Sequence, residues 1–363
     1  MSHVITLDTI PGFESVHRFE DKSIEAIAFI ARHSSALGTP LGGCRLRYDY
    51  RDESDCLADA LRLSEGMTRK AAIHRLPLGG GKMAVWSRRP LAELDRKAMF
   101  EFVGLSVDKL GGSYITAEDL NTTVADMMSV RTRTAHVAGI DSGDPSEFTA
   151  LGVWEVIRHL AENRLSVGTT RCRLAVQGVG KVGEILVRLA AAHGVTELII
   201  SDLVPERAAH LASEIGCRVV GSNEIYDVPC DVFVPCGCGG ILNPRTIPRL
   251  RCSAVAGAAN NQLADPERDE QLLRRRGILY CPDVVVNGGG LINVSCEFPR
   301  YDCARAERLT RGIPATLEEV FEFAGRQGTS ATTAVKALTD QRNEQPRPRF
   351  DAPPTSIRLG LIM

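Results

Sequence analysis

The chain has 363 residues, of which 44% are hydrophobic and 24% charged, and its formal net charge is -2. This length and composition are typical of a globular protein with two domains. The balanced charge gives no reason to expect nucleic acid or a membrane surface as a partner. No apolar run approaches the ~18 residues of a transmembrane helix, and no signal-peptide pattern precedes the first strand. We therefore expect a cytoplasmic protein.

The cysteines are scattered along the chain, and the densest group is Cys230, Cys236 and Cys238. A Cys-Gly-Cys pair could bind a metal ion, but no His or Cys pair lies nearby at the spacing of a zinc site. Small reduced cysteines in the core of a cytosolic enzyme explain the pattern better. We predict no metal site.

The N-terminal region is predicted to mix strands, turns and helices. Residues 24–32 form an apolar run typical of a strand, and GTPLGG directly after it is predicted to be a turn. Helical spacing covers residues 55–70 and 91–110, while residues 83–86 and 113–116 are short strand candidates. These elements predict an α/β domain over residues 1–140.

A segment rich in Gly, Pro, Asp and Ser, residues 135–150, marks a boundary and leads into a helix predicted over residues 147–163. Strands and helices then alternate, which predicts a parallel sheet with helices on both faces, a Rossmann-like domain over residues 141–310. Helices after about residue 310 can pack back on the first domain. The Pro- and Arg-rich residues 340–363 are predicted to be a poorly ordered tail. The predicted strands are 174–177, 197–201, 232–235, 254–256 and 278–281, and the helices are 182–193 and 205–215.

The strongest short motif is VQGVGKVG, in which Gly178, Gly180 and Gly183 follow a strand and open a helix. The first glycine allows the tight turn, the second lets the backbone approach a pyrophosphate, and the third allows close packing of helix on strand. The helix N-terminus then offers free N–H groups to the phosphates. The motif predicts a dinucleotide site that also includes Val179, Lys181 and Val182.

Asp202 stands at the end of the next strand, where an acidic residue accepts hydrogen bonds from the adenosine ribose. Its carboxylate would repel a 2′-phosphate, so the predicted cofactor is NAD rather than NADP. Arg207 lies close enough in the sequence to keep NADP as an alternative.

A second cluster holds Lys70 and Lys82, the latter directly after three glycines. Two lysines beside a glycine-lined pocket suit a small anionic substrate, although a single lysine is more often a solvated surface charge. The GGGK stretch is not a P-loop, because Leu76 stands where the upstream glycine is required and Met83 replaces the Ser or Thr that would hold magnesium. Asp119, in YITAEDLNTT, is by itself typical of a helix cap.

Taken together, these segments resemble the glutamate/leucine/phenylalanine/valine dehydrogenase family, most closely its leucine, valine, phenylalanine and tryptophan dehydrogenase branch. The resemblance runs in order from about residue 20 to about residue 330. Its motifs are LGGCR, GMTRKAA, LPLGGGK, YITAEDLNTT, VQGVGKVG, AGAANNQL and PDVVVNGGGLINV.

The resemblance implies a reversible, NAD-dependent oxidative deamination of an L-amino acid to a 2-oxo acid and ammonia. It implies that Lys70 binds the substrate carboxylate, that Lys82 activates water and that Asp119 carries a proton to and from the amino group. It also implies a homo-oligomer, a dimer or an octamer, whose first domain serves substrate binding and assembly. Near the substrate and nicotinamide it places Asn261, Asn287 and Thr149.

Glutamate-specific relatives carry a lysine where this chain has Leu41, and a second polar contact where it has Val294. An anionic substrate side chain would be desolvated without a partner, so we expect an apolar amino acid of the leucine, valine or isoleucine type. An aromatic substrate such as phenylalanine or tryptophan, in secondary metabolism, is the alternative. A catalytically silent NAD-binding assembly protein is a third hypothesis. The predicted pocket consists of Leu41, Gly42, Ala117, Leu291 and Val294.

Several positions depart from the family pattern. Arg69 replaces a usual tyrosine, His74 and Arg75 occupy a place that is usually small or neutral, and Glu147 replaces a usual proline. Gly288 stands where alanine is common, and NVSCEF differs from the usual acidic ending. These departures leave the identity of the substrate open.

Overall fold

A computed structural model describes residues 3–7 and 10–344. Its first domain is built on a sheet in the order β1-β2-β3-β5-β4-β6. The strands from β1 to β3 and β5 pair antiparallel, whereas β5, β4 and β6 run parallel. The strands are β1 (His3–Thr6), β2 (Ser15–Asp21), β3 (Ala26–Ser34), β4 (Pro40–Arg47), β5 (Gly79–Ser87) and β6 (Ile115–Glu118), with helices α1 (Glu53–Ile73), α2 (Arg96–Asp108) and α3 (Val124–Arg131).

The prediction of a turn at GTPLGG is wrong, because these residues lead into and form much of strand β4. The glycines allow neighbouring strands to approach closely and do not reverse the chain direction. A Cβ atom on Gly42 would lie 1.7 Å from the carbonyl oxygen of Gly81 on β5. The two strands therefore approach more closely than side chains would permit.

Helix α1 begins at the N-cap Asp52, whose carboxylate accepts the N–H of Asp55 at 2.9 Å. The helix packs against β3 and β5 and carries Lys70 in its last turn. Directly after it, Arg75 adopts a left-handed backbone conformation (φ 54°) and donates to both carboxylate oxygens of Glu319 at 2.8 Å. A non-glycine residue is uncommon in this conformation, and the ion pair helps to hold it.

The second domain has a fully parallel sheet in the order β12-β11-β10-β7-β8-β9. The predicted two-domain α/β fold is confirmed, and strands 174–177 and 232–235 and helix 205–215 have the predicted bounds. The strands are β7 (Leu174–Gln177), β8 (Leu198–Ser201), β9 (Arg218–Val219), β10 (Val232–Pro235), β11 (Ala254–Val255) and β12 (Leu279–Tyr280), and the helices from α4 to α9 are α4 (Ser146–His159), α5 (Lys181–Ala192), α6 (Pro205–Ile215), α7 (Pro266–Arg275), α8 (Asp283–Val286) and α9 (Gly289–Ser295).

The last three helices are α10 (Cys303–Arg311), α11 (Ile313–Gln327) and α12 (Ala331–Glu344). Helix α12 packs back on α1, where Arg342 donates to the carbonyl oxygen of Ala72 at 3.0 Å and to Glu319 at 2.7 Å. Helix α12 thus continues to Glu344, past residue 340 where the tail was predicted to begin, and residues 345–363 lie outside the described residues. Within residues 3–7 and 10–344, no helix is both long and apolar enough to cross a bilayer.

Candidate active site

A cavity of about 520 Å³ lies between the two domains, beside the first half of β4 and the start of α5 and at the carboxyl end of β6. Ligands of open α/β sheets bind at this end of the strands. The cavity collects Lys70, Lys82 and Asp119 in one place. Its lining also includes Leu41, Gly43, Met67, Ala117, Glu118, Thr149, Lys181, Val182, Asn260, Asn287, Leu291 and Val294.

The parallel strands β4, β5 and β6 bring a carboxylate between two cations. The Oδ2 atom of Asp119 lies 2.8 Å from Nζ of Lys82 and 2.9 Å from Nε of Arg45. Lys82 is only 5% exposed, so this ion pair is largely shielded from water. Thr122 fixes the turn by accepting the N–H of Asp119 on its hydroxyl at 2.8 Å.

Burial by itself would raise the pKa of Asp119, but the charges of Lys82 and Arg45 outweigh it and hold that pKa well below its usual range. Arg45 also lies 3.3 Å from Asp59, which accepts the hydroxyl of Tyr50 at 2.7 Å. Sequence reasoning did not single out Arg45, although it belongs to the LGGCR segment. Its role as a partner of Asp119 depends on strand pairing that the sequence does not display.

Lys70 lies across the cavity with a neutral partner. Its Nζ donates to Oδ1 of Asn260 at 3.2 Å, and Nδ2 of Asn287 donates to the same oxygen at 2.8 Å. Desolvation between the domains lowers the pKa of Lys70 to about 8; Asp283 opposes this shift and Lys82 adds to it. The amine therefore approaches neutrality just above physiological pH.

The structure distinguishes two adjacent asparagines. Asn260 lines the cavity, whereas Asn261, the residue singled out from the sequence, lines a neighbouring cavity. Asn261 has a left-handed backbone (φ 52°), and its N–H donates to the carboxylate of Asp283. This conformation turns consecutive side chains in different directions, and nothing in the letters NN shows which one faces the substrate.

The apolar wall contains four of the five residues predicted for it, namely Leu41, Ala117, Leu291 and Val294. The fifth, Gly42, does not line the cavity, because it packs against β5. Gly43 lines it instead, and Met67 joins the wall from α1. Their positions follow from alternation along β4 and from the facing side of α1.

The glycine-rich turn has the shape that a dinucleotide requires. Gly178 has a φ of 94°, and a Cβ on Gly183 would lie 2.0 Å from the carbonyl oxygen of Gly178. A Cβ on Gly180 would meet no atom within 4 Å, so the backbone is open to a phosphate at the N-terminus of α5. Asp202 accepts the N–H of Val179 at 2.8 Å and ties the turn to the end of β8.

Other predicted cofactor contacts also reach the cavity. Lys181, Val182 and Thr149 line it, and the Thr149 hydroxyl donates to the carbonyl of Pro145 at 3.0 Å. The Oδ1 atom of Asn287 is buried without a hydrogen-bond partner. A buried amide oxygen of this kind is available to accept a hydrogen bond from a ligand. These residues fit a nicotinamide dinucleotide.

Two of the departures from the family pattern make contacts outside the cavity. Arg69 pairs with Glu65 on the same helix and faces the neighbouring cavity. In NVSCEF, the buried carboxylate of Glu297 accepts the N–H groups of Gly139 and Ser142 at 3.0 and 2.7 Å. The end of this segment therefore fastens the inter-domain linker, whereas its Val294 lines the cavity.

Residues 14–136 match the model of the Glu/Leu/Phe/Val dehydrogenase dimerisation domain, and residues 206–320 match that of Glutamate/Leucine/Phenylalanine/Valine dehydrogenase. The chain is 41% identical to an L-tryptophan dehydrogenase of Nostoc punctiforme over 91% of this chain and 93% of the relative. It is 39% identical to a leucine dehydrogenase of Thermoactinomyces intermedius over 92% of both chains. The crystal structure of L-tryptophan dehydrogenase from Nostoc punctiforme superposes with a TM-score of 0.78 and 39% identity, covering 92% of this chain and 96% of that one.

Matches of this extent, on a chain that gathers two lysines, a carboxylate and a dinucleotide turn around one cavity, decide the family. The chain belongs to the glutamate/leucine/phenylalanine/valine dehydrogenase family and is an amino acid dehydrogenase, an oxidoreductase.

Proposed function

We propose that the chain catalyses the reversible, NAD-dependent oxidative deamination of an apolar L-amino acid, of the leucine, valine or isoleucine type, to its 2-oxo acid and ammonia. The observation that carries this proposal is the meeting of Lys70, Lys82 and Asp119 at one cavity with an apolar wall. An amino acid presents one carboxylate, one amino group and one side chain. The cavity offers a separate partner for each.

The substrate carboxylate is assigned to Lys70. This amine has an amide oxygen, not a carboxylate, as its hydrogen-bond partner in the site, so its charge is open to an anion. The side chain of the substrate then faces Leu41, Ala117 and Val294, whose apolar side chains offer an acidic group no charged partner.

The amino group and the attacking water are assigned to Asp119 and Lys82. The Asp119 carboxylate is ionised and positioned by Arg45, so it can accept a proton from the substrate amine and return it. The Lys82 amine, 2.8 Å from that carboxylate, activates the water that attacks the imino carbon. When bound, NAD supplies the hydride acceptor for the substrate Cα.

The preference for NAD is supported by Asp202, which follows β8 and is held by the backbone N–H groups of Val179 and Val204. A carboxylate fixed there accepts hydrogen bonds from the ribose hydroxyls and repels a 2′-phosphate. Arg207 lies 3.4 Å from the same carboxylate and weakens that repulsion. We therefore expect NAD to be preferred and NADP to be a weaker cofactor.

An aromatic amino acid is the second candidate. The 41% identity to an L-tryptophan dehydrogenase favours it. We also propose a homo-oligomer, because the model that matches residues 14–136 is that of a dimerisation domain. The cytoplasmic location stays a prediction from the sequence.

The proposal is tested by a panel of L-amino acids with NAD or NADP, following the absorbance of the reduced cofactor at alkaline pH. We expect turnover with apolar amino acids and NAD, and none with glutamate. The reverse reaction is followed with 2-oxo acids, ammonia and NADH. A preference for tryptophan or phenylalanine would select the second candidate, and no turnover in either direction would contradict both.

A further inference from the structure

We propose that His74 is a positioning residue: its imidazole, seated on Gly288 and hydrogen-bonded to Val284, fastens the segment that bears Asn287 to the helix that bears Lys70. The proposal rests on the proposed function, in which Lys70 binds the substrate carboxylate. It concerns two positions that the sequence marked as unusual without linking them.

The imidazole joins two separate parts of the chain. His74 is the C-cap residue of α1, and its Nε2 lies 3.2 Å from the carbonyl oxygen of Val284 in α8. A carbonyl oxygen can only accept, so Nε2 carries the hydrogen and donates it. Burial lowers the pKa of His74 to about 4, so the ring is neutral and keeps this hydrogen bond at neutral pH.

The ring occupies the space that a side chain at position 288 would need. A Cβ atom on Gly288 would lie 2.0 Å from Nε2 of His74, 2.6 Å from its Cδ2 and 2.7 Å from its Cε1. The backbone of Gly288 is helical, with φ -67° and ψ -16°, so alanine suits its conformation. The histidine ring is what excludes alanine at this position.

This contact connects directly to the cavity. Lys70 lies one helical turn before His74, and Asn287 immediately precedes Gly288. Between them, Asn260 accepts hydrogen bonds from both Lys70 and Asn287. The histidine therefore closes a ring of contacts around the carboxylate-binding lysine. A shift of α8 relative to α1 would move Asn287, which holds the Asn260 oxygen that Lys70 contacts.

The test uses the variants Gly288→Ala and His74→Ala, the double variant that combines them, and His74→Gln, which retains an N–H donor. Gly325→Ala is the matched control, because Gly325 lies in helix α11 and a Cβ there would meet no atom within 4 Å. Each variant is measured for kcat and KM with the preferred amino acid, for NADH binding by fluorescence and for its melting temperature.

We expect Gly288→Ala to lower kcat/KM at least tenfold and to lower the melting temperature by several degrees. Adding His74→Ala to it should restore most of both losses, because the ring that collides with the new methyl group is gone. His74→Ala alone should raise KM several-fold with little change in kcat, and His74→Gln should fall between it and the wild type. Gly325→Ala should resemble the wild type.

Wild-type behaviour of Gly288→Ala, or a double variant as impaired as Gly288→Ala alone, would overturn the contact. An unchanged KM in His74→Ala would leave the contact but overturn its positioning role. Failure of the proposed function has a different signature, since the wild type itself would then turn over no amino acid. The melting temperatures report on the pair of residues in either case.

Discussion

Lys70 and Lys82, which both line the cavity, differ in their hydrogen-bond and ion-pair partners. Lys82 lies within a sheet strand, almost fully buried, and forms a 2.8 Å ion pair with Asp119. Lys70 lies at the end of a helix and donates to the amide oxygen of Asn260. The charge of a lysine paired with a carboxylate is already balanced, whereas a lysine beside an amide has no balancing charge in contact and, below its pKa of about 8, can pair with an incoming anion. The partner of each lysine thus determines whether it suits proton chemistry or substrate binding.

Removing either member of the Lys82–Asp119 ion pair should lower kcat more than any other change. Asp119→Asn or Lys82→Ala is expected to lower kcat about 10²–10⁴-fold, because each removes a group that transfers a proton or activates water. Arg45 keeps Asp59 as a partner, so the fold should survive. Steady-state kinetics and circular dichroism check this, with Lys97→Ala on the exposed face of α2 as the control. Variants with wild-type kcat would remove both residues from the chemistry.

Removing the second lysine should act mainly on binding. Lys70→Ala is expected to raise KM for the amino acid roughly a hundredfold, because the substrate carboxylate loses its charged partner. The effect on kcat should be smaller than that of Asp119→Asn. Equal losses of kcat in Lys70→Ala and Asp119→Asn would contradict the assignment of Lys70 to binding and of Lys82 and Asp119 to chemistry.

The pH dependence of binding sharpens the comparison. Because the pKa of Lys70 is lowered to about 8, the amine is charged below that pH and neutral above it. The inhibition constant of a branched carboxylic acid without an amino group should therefore rise above pH 8, by up to about tenfold per pH unit. Lys70→Arg should flatten this rise, because the guanidinium stays protonated. The same slope in both proteins would assign the titration to another group.

The smallest expected effect concerns the amide partner. Asn260→Ala should raise KM several-fold, on the order of 1 kcal/mol, because Lys70 loses a hydrogen bond that orients it. Asn261→Gly, which keeps the left-handed backbone permitted, should change KM less. A larger effect at position 261 would exchange the roles of the two asparagines.

Much of the second domain could be predicted because its signals are local. A strand, a glycine turn and a helix follow one another directly in the chain, so the bounds of β7 and α6 match the sequence pattern. The contacts that the sequence did not predict each depend on a distant partner. Gly42 allows the close approach of Gly81 on another strand, Arg45 forms an ion pair with Asp119, and Gly288 leaves space for the ring of His74. Spacing along the chain does not carry such pairings.

The sequence predicted which residues line the site better than it predicted their contacts, backbone conformation and pKa values. Lys70, Lys82 and Asp119 line the cavity as expected from the motifs, but the choice between Asn260 and Asn261 required the backbone conformation. The pKa of Lys70 depends on desolvation between two domains, which no local pattern reports.

Arg342 connects the last described helix to the helix that carries Lys70, and so to the substrate pocket. Its guanidinium donates to the carbonyl oxygens of Ala72 and Ile73, at the C-terminal end of the same helix that carries Lys70. In a shortened protein that stops at residue 340, the Ile73 oxygen would lose this donor and the Ala72 oxygen would keep the backbone N–H of Arg75, so we expect the helix end to fray more readily. Trimming what looks like dispensable sequence would then weaken affinity for the amino acid, although no deleted atom touches it.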